Sequence, residues 1–150
     1  MKHMDFIKKE KQKGVAAVEF AIVLPLLLFL FIGITEFGIA YYNKQVLTNA
    51  SREGARAGTF NDKYPSEIQQ IAYNYANDRI ITFGPNSFST NSIIIGRDNS
   101  DNYDCDASSD YCRVGVEFSY SYLILQGFRF FGADFGPNLN IGASTTMRMM

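Results

Sequence analysis

The twenty residues from Val15 to Ile34 form a nearly uninterrupted apolar run in which Glu19 is the only charge. A helix of that length rises about 30 Å, close to the hydrocarbon thickness of a bilayer. That match narrows the options for the chain more than any other feature. A carboxylate deep in hydrocarbon costs on the order of 3 kcal/mol, so Glu19 calls for an account. One account is local: Glu19 lies only a few residues into the run and snorkels toward the headgroups. The other needs a partner of opposite charge. Pro25 also lies within the run, where a membrane helix tolerates it better than a water-soluble one does.

Residues 1–14 hold five lysines and two acids, for a charge of +3, while the chain as a whole carries -1. A basic flank stays on the cytoplasmic side by the positive-inside rule, so the remainder is expected outside. The run exceeds the h-region of about 7–15 residues typical of a secretory signal. A rival cleavage site nevertheless follows it at Gly38-Ile39-Ala40, with a small-x-small pattern. Cys105 and Cys112 are the only cysteines and both lie beyond the run. In an exported domain such a close pair reads as a disulfide; two free thiols in a reducing compartment are the alternative.

Gly14 sits between the lysine cluster and the run. Cleavage there would make Val15 the new N-terminus and Glu19 the fifth residue. The α-amine of Val15 in one subunit would then face Glu19 of the next, and burial of the pair would select one stacking register.

The basic leader, Gly14, four apolar or small residues, then Glu19-Phe20 and an apolar helix together resemble the type IV prepilins. VEFAIVLPLLLFLFIGITEFGIA and VLTNASREGARAG are similar to the TadE-like family of minor pilins and pseudopilins of the tight-adherence (Tad, or Flp) pilus. The likeness is close over residues 13–58, and ASTTMR at 143–148 resembles the family's last strand. Met149-Met150 departs from the polar or acidic end expected there. The resemblance implies a processing site at Gly14/Val15, cut by a prepilin peptidase, and inter-subunit pairing through Glu19 and Phe20. It implies as partners other pilins or pseudopilins and an inner-membrane assembly platform, with no nucleic acid and no small-molecule substrate. The location it implies is the bacterial inner membrane, with the C-terminal domain outside or carried into an extracellular pilus.

The expected architecture is α+β and pilin-like. A basic leader covers residues 1–14, a transmembrane and assembly helix 15–41, and an extracytoplasmic domain 42–150. Val46, Leu47, Ala50, Gly54 and Ala57 keep helical spacing, so the helix is expected to run on to about Thr59 as a spine. Gly54 and Gly58 each cost such a helix about 1 kcal/mol, so close packing is expected there. Arg52, Glu53 and Arg56 read as solvated charges with a Glu53–Arg56 pair. Glu36 reads as a solvated interfacial charge or a second inter-subunit contact. A second helix is expected with Ser66 and Gln69 as its capping box, ending at Gly84-Pro85. Strands are expected at Ser92–Ile95, at Tyr111–Tyr122 with Cys112, Val114, Val116, Phe118, Tyr120 and Tyr122 inward, and from Leu139 to Met147.

Nothing in the sequence assembles catalytic chemistry. His3, in the leader, is the only histidine, and there is neither G-x-S-x-G nor C-x-x-C. No enzyme and no cofactor are expected. One metal reading exists: Asp98, Asp101, Asp104, Asp106 and Asp110 offer hard oxygen ligands suited to calcium. The spacing fails an EF-hand counted from Asp104, with Ser109 where its glycine belongs and Gly115 where its glutamate belongs, and a solvated acidic loop is the preferred reading. Phe128, Phe130, Phe131 and Phe135 read as core residues, or as a patch for neighbouring subunits.

Overall fold

The computed structural model describes residues 2–60, 63–83, 88–96, 105, 110–124, 132, 136 and 138–150, with side chains from residue 14 onward. Helix α1 spans Lys2–Gly58 and α2 spans Pro65–Asn77. After a short 3-10 turn at Thr90–Ser92 come strands β1 (Ile93–Ile95), β2 (Tyr111–Ser121) and β3 (Asn138–Arg148). The strands form one antiparallel sheet in the order β1-β2-β3. This is the expected α+β layout, with a long apolar N-terminal helix, a second helix and three antiparallel strands.

Two compact units divide the chain, residues 1–35 and 36–150. The first is helical from Lys2. Its side chains from Gly14 to Phe31 are all exposed, including the bulky ones of Val18, Ile22, Leu26 and Phe31. Apart from Glu19 these side chains are apolar, a composition suited to lipid or to contact with other helices.

The second unit is built on the rest of α1. Its inward residues, Glu36, Ala40, Asn43, Leu47, Ala50, Gly54 and Gly58, are all buried and recur every three or four positions. That spacing lays one stripe along a helix. Contacts along the stripe fix the direction of the strands. Glu36 meets Tyr120, the Gly54 position faces Val114, and the Gly58 position faces Cys112, so β2 runs antiparallel to the helix. Lys44 Nζ donates to the Gly142 carbonyl, Ser51 Oγ lies 2.8 Å from Thr145 Oγ1, and Met150 N–H donates to Thr59 O, so β3 runs parallel to it.

Strand β2 alternates as the sequence predicts, burying Cys112, Val114, Val116, Phe118 and Tyr120 on one face. On β3, Ile141 is buried, and Ala143 and Met147 pack against the same core. Register follows from these faces, with Val116 opposite both Ile93 and Ala143. A slip of one residue would turn the apolar set outward. Helix α2 closes the core with Ile68, Ala72 and Ala76, all fully buried. Phe88 stacks on Tyr73 with ring centroids 5.6 Å apart and meets Phe118 edge-on at 6.1 Å.

Helix α2 departs from its expected bounds at both ends. It starts at Pro65, whose fixed φ suits a first turn, and the Glu67 carboxylate, rather than Gln69, accepts the Tyr64 N–H at 3.1 Å. It stops at Asn77, well before Gly84-Pro85. The cause is tertiary. Asn43 of α1 donates to Ile81 O at 2.8 Å and accepts from Ile81 N–H at 2.9 Å. Both backbone groups of Ile81 are thereby withdrawn from any helix.

Cys105 and Cys112 form a disulfide. Closing so short a loop contributes about 2.5 kcal/mol in the chain-entropy picture. The bridge also sets the spacing between helix and sheet, since a Cβ at Gly58 would sit 2.2 Å from Cys112 Sγ and 3.1 Å from Ile68 Cδ1. The bonded sulfur cannot swing aside as a free side chain would. Gly58→Ala gains helix propensity, about 1 kcal/mol, but forces α1 off the bridge, and overpacking of this kind typically costs about 1–3 kcal/mol. Net loss of stability is therefore expected in urea unfolding of the detergent-solubilised full chain; a variant more stable than wild type would contradict the tight contact.

Candidate functional site

Two constellations stand out, one on each unit. The first is the proposed processing and assembly segment. Gly14 lies inside α1, with no atom within 4 Å of where its Cβ would be. Val15, Glu19 and Phe20 follow on the same helix, all exposed. A glycine at this point weakens the helix by about 1 kcal/mol relative to alanine. The resemblance marks this segment because of residue order, and the helix presents those residues without covering any of them.

The second constellation was not legible as such in the sequence. Glu36 is only 3% exposed, although it read as a solvated interfacial charge or an inter-subunit contact. Its carboxylate accepts from the Tyr120 hydroxyl at 2.9 Å and from the Ile124 backbone N–H. A buried carboxylate without donors would cost several kcal/mol, and here both oxygens receive one. The partner is Tyr120, 84 residues downstream, a separation no local pattern can reveal. One signal was nonetheless present: Glu36 and Asn43 occupy the same stripe as Ala40 and Leu47, where a polar residue implies a buried partner.

Burial, then the hydrogen bond to Glu36, then the negative charges of Glu36 and Tyr122 push the Tyr120 phenol well above its ordinary range. At the exposed side of α1, Glu53 and Arg56 pair at 2.6 Å as expected. The hydrogen bond to Arg56 holds the Glu53 carboxyl below its usual value. The pair is solvated, so water and salt screen it and it adds little to stability.

Of the calcium candidates, only Asp110 is among the described residues, where it is exposed. Asp98, Asp101, Asp104 and Asp106 lie outside them, as do Phe128, Phe130, Phe131 and Phe135. No group of three or more metal-ligating side chains occurs among the described residues. A shallow groove on the outer face of the sheet is lined by Lys44, Arg113 and Glu117 with Gly115 and Ser144. Its charges are mixed, with Lys44 and Arg113 against Glu117.

A long N-terminal apolar helix, a second helix and a three-stranded antiparallel sheet make an α+β layout like that of a pilin. One helix among the described residues is long and apolar enough to cross a membrane. Residues 14–56 match the family described as TadE-like protein, so a TadE-like segment occupies the helix from the candidate processing glycine to the inner stripe. That match suggests a protein associated with a Tad pilus. No curated protein and no solved structure matches the chain.

Tyr120→Phe removes a donor from a buried carboxylate and is expected to cost about 1–3 kcal/mol in chemical unfolding. The alkaline behaviour follows from sign. A phenol whose folded pKa is raised stabilises the fold fully below its unfolded value of about 10, and that contribution is lost as pH rises from there toward the folded value. The stability gap between wild type and Tyr120→Phe should therefore narrow above that pH; a gap that widened there would refute the assignment.

Proposed function

We propose that this protein is a minor pilin or pseudopilin of a Tad-type pilus used in surface adherence. A prepilin peptidase cuts it after Gly14, and it joins other pilins through its N-terminal helix. The observation that carries this reading is the TadE-like match over residues 14–56, which begins at the candidate cleavage glycine and includes Glu19. Before incorporation the protein rests in the inner membrane through residues 15–41, with its C-terminal domain outside the cytoplasm, beside the assembly platform. The role requires neither catalytic residues nor a cofactor, and neither nucleic acid nor a small-molecule substrate.

Assembly in this reading works by differential burial. Lipid gives little hydrophobic drive between apolar helices, so packing and polar contacts do the selecting. Cleavage frees the α-amine of Val15, and only a neighbour in the correct register brings Glu19 to it. Outside that register the carboxylate stays unpaired and costly.

An uncleaved, single-pass membrane-anchored binding or scaffold module is the alternative. Release by secretory cleavage after Ala40 is disfavoured by the packing. Ala40 is buried in the core, and removal of Glu36 would take away the acceptor for the Tyr120 hydroxyl. The N-terminal residue of the mature protein separates the three: Val15, Met1 or Tyr41.

Gly14→Val is expected to leave the leader attached, read as an unprocessed mass in membranes that contain the peptidase. Processing of this variant at the normal rate would dismiss the site. Glu19→Ala should be cleaved normally yet enter pili about tenfold less or worse, since an unpaired buried charge costs several kcal/mol. Wild-type incorporation of cleaved Glu19→Ala would eliminate the pairing mechanism.

A further inference from the structure

The apolar residues around Glu36 have no role in the assembly mechanism above. Val15 to Thr35 rises about 31 Å as helix, which accounts for one bilayer thickness, so Glu36 falls at the outer edge of the hydrocarbon. That edge is where the second compact unit begins. The Ile124 N–H donates to Glu36, so the turn at Leu123-Ile124 is fixed at the same height along α1. Its side chains are not in the core: Leu123 is 44% and Ile124 42% exposed. On α1, Phe37 is 74% exposed and Tyr41 59%. The helical advance from Glu36 places both on the side away from Tyr120.

Apolar side chains thus flank α1 on two sides at one height, around a carboxylate that already holds two donors. Aromatic and aliphatic side chains with satisfied polar neighbours suit the boundary between headgroups and acyl chains. We infer that the Leu123-Ile124 turn, together with Phe37 and Tyr41, is a lipid-contact surface that seats the outer domain in the headgroup layer of the membrane its own helix spans. The occupant is lipid because the covalent helix delivers this surface to the bilayer edge. In this arrangement the Glu36–Tyr120 contact has a second consequence, since it keeps the carboxylate away from lipid while the turn beside it inserts. The inference rests on the membrane-spanning reading of α1, and the experiment separates the two.

The chain contains no tryptophan, so a single introduced indole reports one position. The full chain is reconstituted in phosphatidylcholine vesicles whose acyl chains are brominated near the headgroup end or near the tip. Leu26→Trp, ten residues before Glu36 and so about 15 Å deeper, tests the span. Leu123→Trp and Ile124→Trp test the turn, and both native side chains are partly exposed. Tyr64→Trp, on a residue 74% exposed elsewhere in the second unit, is the solvent control.

The expected result is strong quenching of Leu26→Trp by tip bromines. Leu123→Trp or Ile124→Trp should lose about half its emission to bromines near the headgroup, as a boundary side chain would, while Tyr64→Trp is unaffected. If Leu26→Trp is quenched and both turn variants match Tyr64→Trp, the turn faces water or another chain and the lipid surface is refuted while the span stands. If Leu26→Trp is not quenched, the span fails and the lipid surface fails with it.

Discussion

The distance between helix α1 and strand β2 governs the second compact unit. At Gly58 that distance leaves no space for a methyl group, because the Cys105–Cys112 bridge lies against the helix backbone. At Gly54 the helix backbone rests on Val114 and Ala72. Small residues in the stripe let the helix lie flat on the strand over its whole packed length. A modest domain gains stability from that continuous contact as well as from its larger core residues such as Leu47, Ile68, Phe118 and Tyr120. The glycines lower helix propensity, and the packing they permit offsets that cost.

Close approach creates a second requirement. Polar groups trapped between helix and sheet must find partners there, because water is excluded. The helix supplies three, Glu36, Asn43 and Ser51, which engage Tyr120, Ile81 and Thr145 respectively, while the exposed Lys44 reaches the Gly142 carbonyl. Each reaches a different stretch of the chain, so together they fix the angle of the helix, the end of α2 and the placement of β3. Apolar packing alone is nondirectional and would leave these choices weakly determined.

One helix therefore meets two environments, and its side chains change accordingly. Over residues 15–35 it is apolar apart from Glu19 and Thr35, and its side chains to Phe31 are exposed. From Glu36 onward it is amphipathic, with small and polar residues inward and charges such as Arg52 and Arg56 exposed. The transition falls where the second compact unit begins. In the proposed assembly role, the first part exchanges lipid for neighbouring helices while the second holds the outer domain as one body.

Much of this was legible in residue order because it rests on local periodicity. The twenty-residue apolar run marked the apolar part of α1, three- and four-residue spacing carried the helix to Gly58, and strict alternation drew β2 and β3 nearly to their ends. Gly14 and Glu19 stand out in residue order because a motif is defined along the chain, and the roles given to them belong to the proposed function. The partners of Glu36 and Asn43 were not legible, and neither was the early end of α2. Each depends on residues brought together from distant positions, and a burial pattern shows that a polar group must be satisfied without showing by what. The sequence by itself determined where the chain is apolar and with what period, since hydrophobicity and backbone geometry act over a few residues. Only the tertiary structure decided that the acid at the end of the apolar run is internal, because desolvation and hydrogen bonding are properties of the surroundings rather than of the residue.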